Sequence, residues 1–169
     1  MPGQGNRIDF VTGAPEKYAD LVDGLAVIPG RYRAALGGVA EDALRREPGG
    51  DHWSALRNLA HVTFTAEAND VFIHQMAKMT LPRRADFPVG YIAEDLETLK
   101  GAALLQRFED AIGRTVELLG HTPDAAWGRP GDVRGMRRSL RQHVVAHTDH
   151  LVEHLAEIER LVGAGAAAR

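Results

Sequence analysis

Residues 138–162 read RSLRQHVVAHTDHLVEHLAEIERLV. Leu140, Val144, Leu151, Leu155, Ile158 and Val162 fall at the spacing of one buried helix face. His143, His147, His150 and His154 follow each other in steps of 4, 3 and 4 residues. At about 100° per residue, with His147 as origin, these imidazoles span about −60° to 0°. The apolar positions span about +20° to +80°. The histidines therefore form a seam on the border of the buried stripe, inside a bundle rather than in bulk water. Buried imidazoles need hydrogen-bond partners, and a divalent metal supplies one, since neutral rings four residues apart can meet on one ion. His150 with His154 is such a pair, and so is His143 with His147. A hydrogen-bonded or pH-sensing seam is the plainer alternative.

Working outward, three further long segments carry the helical period. The first runs from Pro15 through Tyr18, Leu21, Val22, Leu25 and Ile28, with a break expected at Pro29-Gly30 before Tyr32 and Leu36 resume the stripe. A short turn is expected within Val39–Leu44. The second opens on Ser54 as N-cap and extends to about Met79. The third covers about Glu94 to Leu119 and stops at Gly120. The fourth is the quoted stretch, from about Arg138 to a stop at Gly163. Pro48-Gly49-Gly50, Thr80–Gly90 and Gly128-Arg129-Pro130-Gly131 read as connections, and no segment reads as a strand. The expectation is an all-α four-helix bundle. One domain spans residues 1–162, with 1–14 an extended arm and 163–169 a fraying Gly/Ala tail.

Composition narrows the functional classes. The chain has 169 residues, 20 basic and 23 acidic side chains and a formal charge of −3. That balance argues against nucleic acid and a membrane surface as partners and points to a small-molecule substrate. Met1–Asp9 has no apolar core of a secretory signal, and no run reaches the length of a membrane helix, so a cytoplasmic protein is expected. There is no cysteine, which excludes a thiolate ligand or a cysteine nucleophile from this chain.

A third ligand must come from another helix. His61 shares its face with Thr65, Ala68, Phe72, Met76 and Met79, a stripe that should face the core. His52 precedes that helix, His74 projects about 140° away, and His121 follows Gly120. The latter two read as surface residues. Arg137, Arg138 and Arg141 read as a solvated helix entrance, with an anion site as the less favoured reading. Glu157 lies beside the histidine face, where it either supports His154 or forms a solvated salt bridge.

These residues resemble a known family. Trp53-Ser54-Ala55-Leu56-Arg57-Asn58-Leu59-Ala60-His61-Val62 resembles the W-S-x-x-E-x-x-x-H-L segment of the DinB/YfiT-like superfamily. His150-Leu151-Val152-Glu153-His154-Leu155-Ala156-Glu157-Ile158 is similar to its H-x-x-x-H-L-x-x-I element. The resemblance covers about residues 15–162. It implies an up-down-down-up four-helix bundle and a homodimer. It also implies a metal held by His61, His150 and His154. By position, His147, three residues before His150, is a candidate support or a substitute ligand, and Glu157 is a candidate support. Arg57 departs from the pattern, standing where the family usually has an acidic residue, and Val62-Thr63-Phe64-Thr65 lacks the acidic residue often found there.

Three histidines on one ion leave a position open for water or substrate, as in catalytic sites. His-only ligation suits Zn or Ni foremost, with Co and Fe as further choices. The resemblance implies two chemistries. One is a thiol-dependent S-transfer or isomerisation using mycothiol or bacillithiol, with the thiol borrowed because the chain has none. The other is hydrolysis by a metal-activated water. A non-catalytic stress protein holding metal or a small ligand is the reading from a different class.

Overall fold

The computed structural model describes residues 16–167, and the side chains of residues 16–166. The expected N-terminal arm, 1–14, and the last two residues lie outside it. Helices α1 (Glu16–Ala26) and α2 (Ile28–Leu36) form the first arm of the bundle. The break falls at Val27, earlier than expected, because Pro29 sits in the first turn of α2, where its missing N–H costs no hydrogen bond. Helix α3 (Glu41–Arg45) is the expected short turn, and α4 (Ala55–Lys78) is the second arm. Its Ser54 hydroxyl accepts from Arg57 N at 3.2 Å, as an N-cap should.

The third arm is divided, contrary to the single expected helix. Helix α5 (Glu94–Thr98) ends at Leu99 and Lys100, both extended, before α6 (Gly101–Gly120) begins. Glu41 Oε2 accepts from Gly101 N at 3.0 Å, capping α6 from a distant element. A Cβ at Gly101 would lie 2.6 Å from Leu44 Cδ1, so glycine lets α3 pack there.

Cross-helix pairs fix the direction of each arm. Lys17 meets Asp124 and Arg33 meets Glu109, so the first arm runs antiparallel to the third. Glu67 bonds Arg107 and Asp70 bonds Arg114, so α4 and α6 run parallel. Helix α8 (Leu140–Ala167) opposes α4, with Asn58 at His154 and Asn69 at His147. This is the up-down-down-up bundle. Its core includes Leu25, Tyr32, Leu59, Phe72, Phe108 and Leu151, all at most 2% exposed. Tyr32 spends its hydroxyl inside that core by donating to Leu151 O at 2.6 Å.

Two departures occur before and within the last arm. After α7 (Asp124–Trp127), the expected loop contains an antiparallel hairpin, β1 (Pro130–Val133) with β2 (Met136–Ser139). Arg134 (φ 54°) and Gly135 (φ 79°) turn it, the positive-φ pair that a two-residue hairpin needs. Four-residue strands are too short to show a period, which is why the sequence concealed them. Gly131 seats β1 on α4, since a Cβ there would lie 2.7 Å from Phe72 Cζ. Helix α8 starts at Leu140 rather than Arg138, behind a capping box in which Ser139 Oγ accepts from Gln142 N and Gln142 Oε1 accepts from Ser139 N. It also continues through Gly163 and Gly165 to Ala167, past the expected stop. Among the described residues, no helix is long and apolar enough to cross a membrane.

Candidate metal centre

Antiparallel packing of α4 on α8 brings together two halves of a site that lie far apart in sequence. One ring nitrogen from each of His61, His150 and His154 lies within 4.8 Å of the others. His61 is buried and the other two are half-buried. His61 Nδ1 donates to Tyr91 O at 3.1 Å, and His154 Nδ1 donates to Asn58 Oδ1 at 2.8 Å. Both bonds commit the Nδ1 hydrogen and leave a lone pair on Nε2. The Asn58 amide is itself oriented, because its Nδ2 donates to Ser54 O at 3.0 Å. Such outer bonds fix the tautomer and aim of ligating histidines in metal sites.

The chemistry of the set fits a divalent ion. Two nitrogens at about 2.0–2.1 Å from one tetrahedral ion stand about 3.3 Å apart. His61 Nε2 and His150 Nε2 are 3.2 Å apart. Burial holds His61 below the usual imidazole range. Burial, then the positive potential of neighbouring groups, lowers His150 and His154 to about 4. All three are neutral at pH 7, the form that ligates.

Trp53 walls the site, its ring 6.2 Å from that of His154 and nearly parallel to it. Gly90, at φ 71°, passes where a Cβ would lie 3.0 Å from Trp53 Cζ2, so the loop closes over the indole only with glycine there. Arg57, where the family pattern has an acid, lies 5.2 Å over the Trp53 ring and pairs with Glu97 at 3.3 Å. The trio opens on a cavity of about 630 Å³, bounded also by Phe64, Phe87 and Tyr91 of an edge-to-face cluster.

The other histidine pair has a different environment. His147 Nδ1 accepts from Asn69 Nδ2 at 2.9 Å, and His143 Nε2 donates to Asn69 Oδ1 at 3.0 Å. One amide thus bridges these rings and engages one nitrogen of each. Glu157 bonds Arg160 through both carboxylate oxygens, which holds its carboxyl below the usual range, and Asn58 stands at His154 Nδ1. His52 and His121 are exposed, and His74 is half-buried against Asp70.

Sequence reasoning missed Asn58, Asn69 and the Tyr91 carbonyl. A signal for the two asparagines existed. Asn58, His61, Thr65 and Asn69 advance by 3, 4 and 4 residues, a polar line along an otherwise apolar face. The carbonyl had none, since any residue supplies one.

Comparison with curated proteins gave no match. Among solved structures, the fold is similar to YfiT from Bacillus subtilis, described as a probable metal-dependent hydrolase with an unusual four-helix bundle topology. The TM-score is 0.73 at 16% identity, over 89% of this chain and 90% of that one. It is also similar to the mycothiol-dependent maleylpyruvate isomerase, with a TM-score of 0.63 at 16% identity over 82% of this chain. This chain covers 59% of that enzyme's length. A family model matches residues 25–158, nearly the whole bundle and all three clustered histidines, and by that match the chain belongs to the DinB superfamily.

Proposed function

We propose that this chain is a metal-dependent enzyme in which His61, His150 and His154 hold one divalent ion, Zn or Ni, and that it transfers a low-molecular-weight thiol to a small electrophile. The observation that carries the reading is the set of three neutral imidazoles converging on an open cavity. When bound, the ion supplies Lewis acidity, lowering the pKa of a thiol or water beside it. The chain's own residues hold and shield the site. Asn58 and the Tyr91 carbonyl keep the Nε2 lone pairs aimed inward, and Trp53 restricts water on one side. With no cysteine in the sequence, the thiol must come from outside, and mycothiol or bacillithiol suits that part.

Hydrolysis is the second reading, favoured by the coverage of both chains in the similarity to YfiT. One experiment separates the two. Metal-loaded protein is given mycothiol or bacillithiol with monochlorobimane, and separately p-nitrophenyl acetate without thiol. Thiol-dependent conjugation that His150→Ala abolishes supports the transferase. Ester turnover alone supports the hydrolase. Turnover of neither leaves a metal-binding protein without catalysis. Unchanged metal content in His150→Ala, after chelation and reloading, overturns the site itself.

A further inference from the structure

The cavity beside the histidine trio carries a second polar group. Arg84, Arg134 and Arg138 all line it, in a chain whose formal charge is −3. Asp86 also lines it, but its carboxylate pairs with Arg83 at 3.2 Å. Among the described residues, Arg84 makes no ion pair, and its Nε is buried without a hydrogen-bond partner. Two more buried nitrogens share that condition, His143 Nδ1 and His147 Nε2, and both rings line the same cavity.

The Asn69 bridge assigns their roles. His143 spends its hydrogen on Asn69 Oδ1, so its Nδ1 is an acceptor. His147 accepts at Nδ1, so its Nε2 carries the hydrogen and is a donor. The main chain that carries this guanidinium is fixed as well. Arg84 N donates to Asp132 O, and Asp132 N donates to Pro82 O, both at 2.9 Å, fastening this loop to β1. Arg84 suffers from its surroundings, since burial, then Arg134 and Arg138, lower its pKa. Its charge in turn adds to burial in lowering the pKa values of His143, His147 and His150.

Buried donors without partners are costly, and three arginines facing one cavity repel each other. An oxyanion answers both costs. It accepts from Arg84 Nε–H and His147 Nε2–H and neutralises the cluster. We propose that Arg84, assisted by His147 and Arg138, binds the anionic oxygen group of a small substrate whose apolar body lies against Phe64, Phe87 and Tyr91. The specificity of the site is then for carboxylates or phosphate esters over neutral compounds. This rests on the functional reading above only in placing the anion on the substrate, and the binding itself is independent of metal.

The test uses the full-length protein, metal-loaded and chelator-treated, titrated calorimetrically with benzoate, phenyl phosphate and the neutral benzyl alcohol. One or both anions should bind at least tenfold tighter than benzyl alcohol, and which of them does so decides between carboxylate and phosphate. Arg84→Gln should remove that margin and Arg138→Gln reduce it, with metal content per chain and thermal midpoint unchanged in Arg138→Gln. His150→Ala should lose metal yet keep the margin, so failure of the metal reading remains separate from failure of this one. The proposal is overturned by an equal affinity for anions and alcohol, by a margin that survives both arginine variants, or by one that chelation alone abolishes.

Discussion

Asn58 Oδ1 accepts the hydrogen of His154 Nδ1 at 2.8 Å, and this bond determines which nitrogen His154 presents to the cavity. The two residues come from opposite arms of the bundle, 96 positions apart. Because Asn58 also donates to Ser54 O, its amide cannot rotate without losing a second bond.

Replacing Asn58 by Leu keeps a side chain of similar bulk and removes both bonds. Zinc affinity, measured by competition with a chromophoric chelator, should fall about 10- to 100-fold, the usual effect of losing an outer partner. Asn58→Asp retains the acceptor and should retain most of the affinity. An unchanged affinity in Asn58→Leu would mean that His154 is positioned by packing alone.

Asn69 serves two buried rings at once, so its removal should be felt in stability rather than in metal content. Asn69→Leu strands His143 Nε2 and His147 Nδ1. Urea denaturation should show a loss of about 1–3 kcal/mol for each stranded group. Metal content per chain should remain that of the parent.

Stability should also fall in mild acid. Burial, then the charges of Arg84 and Arg138, hold His143 at about 4, below the ordinary imidazole value of 6.5. Above the higher value, both folded and unfolded forms are neutral there and nothing is lost. As pH falls from about 6.5 to 4, the unfolded chain takes up a proton that the folded one refuses, and stability drains by about 3 kcal/mol from this residue. Below 4 the loss is complete. The urea midpoint of chelated protein should trace this window, and His143→Gln should make the fall shallower by that one residue's share, since His147, His150 and His154 are lowered as well.

Gly131→Ala tests how the hairpin is seated. The added methyl would meet Phe72 Cζ at 2.7 Å and Met76 Cε at 3.0 Å. The ring and thioether must shift, costing about 1–3 kcal/mol. Thermal melting should show that loss. Gly135→Ala, at a positive-φ turn with nothing within 4 Å, should show only the smaller cost of backbone strain.

The sequence alone determined the four arms, the cap at Ser54 and the histidine seam. Each is a local property, written in a helical period or in a residue beside a helix start. It also brought forward His61, His150 and His154, through a face argument and two short motifs, while leaving His143 and His147 as rivals by spacing. Tertiary structure set those pairs apart: the antiparallel register of α4 on α8 puts Asn69 between His143 and His147 and brings a nitrogen of His61 within 4.8 Å of His150 and His154. It also split the third arm at Leu99-Lys100, where Glu41, about sixty positions away, caps the new helix start. The hairpin, the Tyr91 carbonyl on His61 and the arginines lining the cavity likewise depend on long-range packing. No period or motif encodes them: a four-residue strand, a backbone oxygen and an arginine in a loop acquire their roles only from what the fold sets beside them.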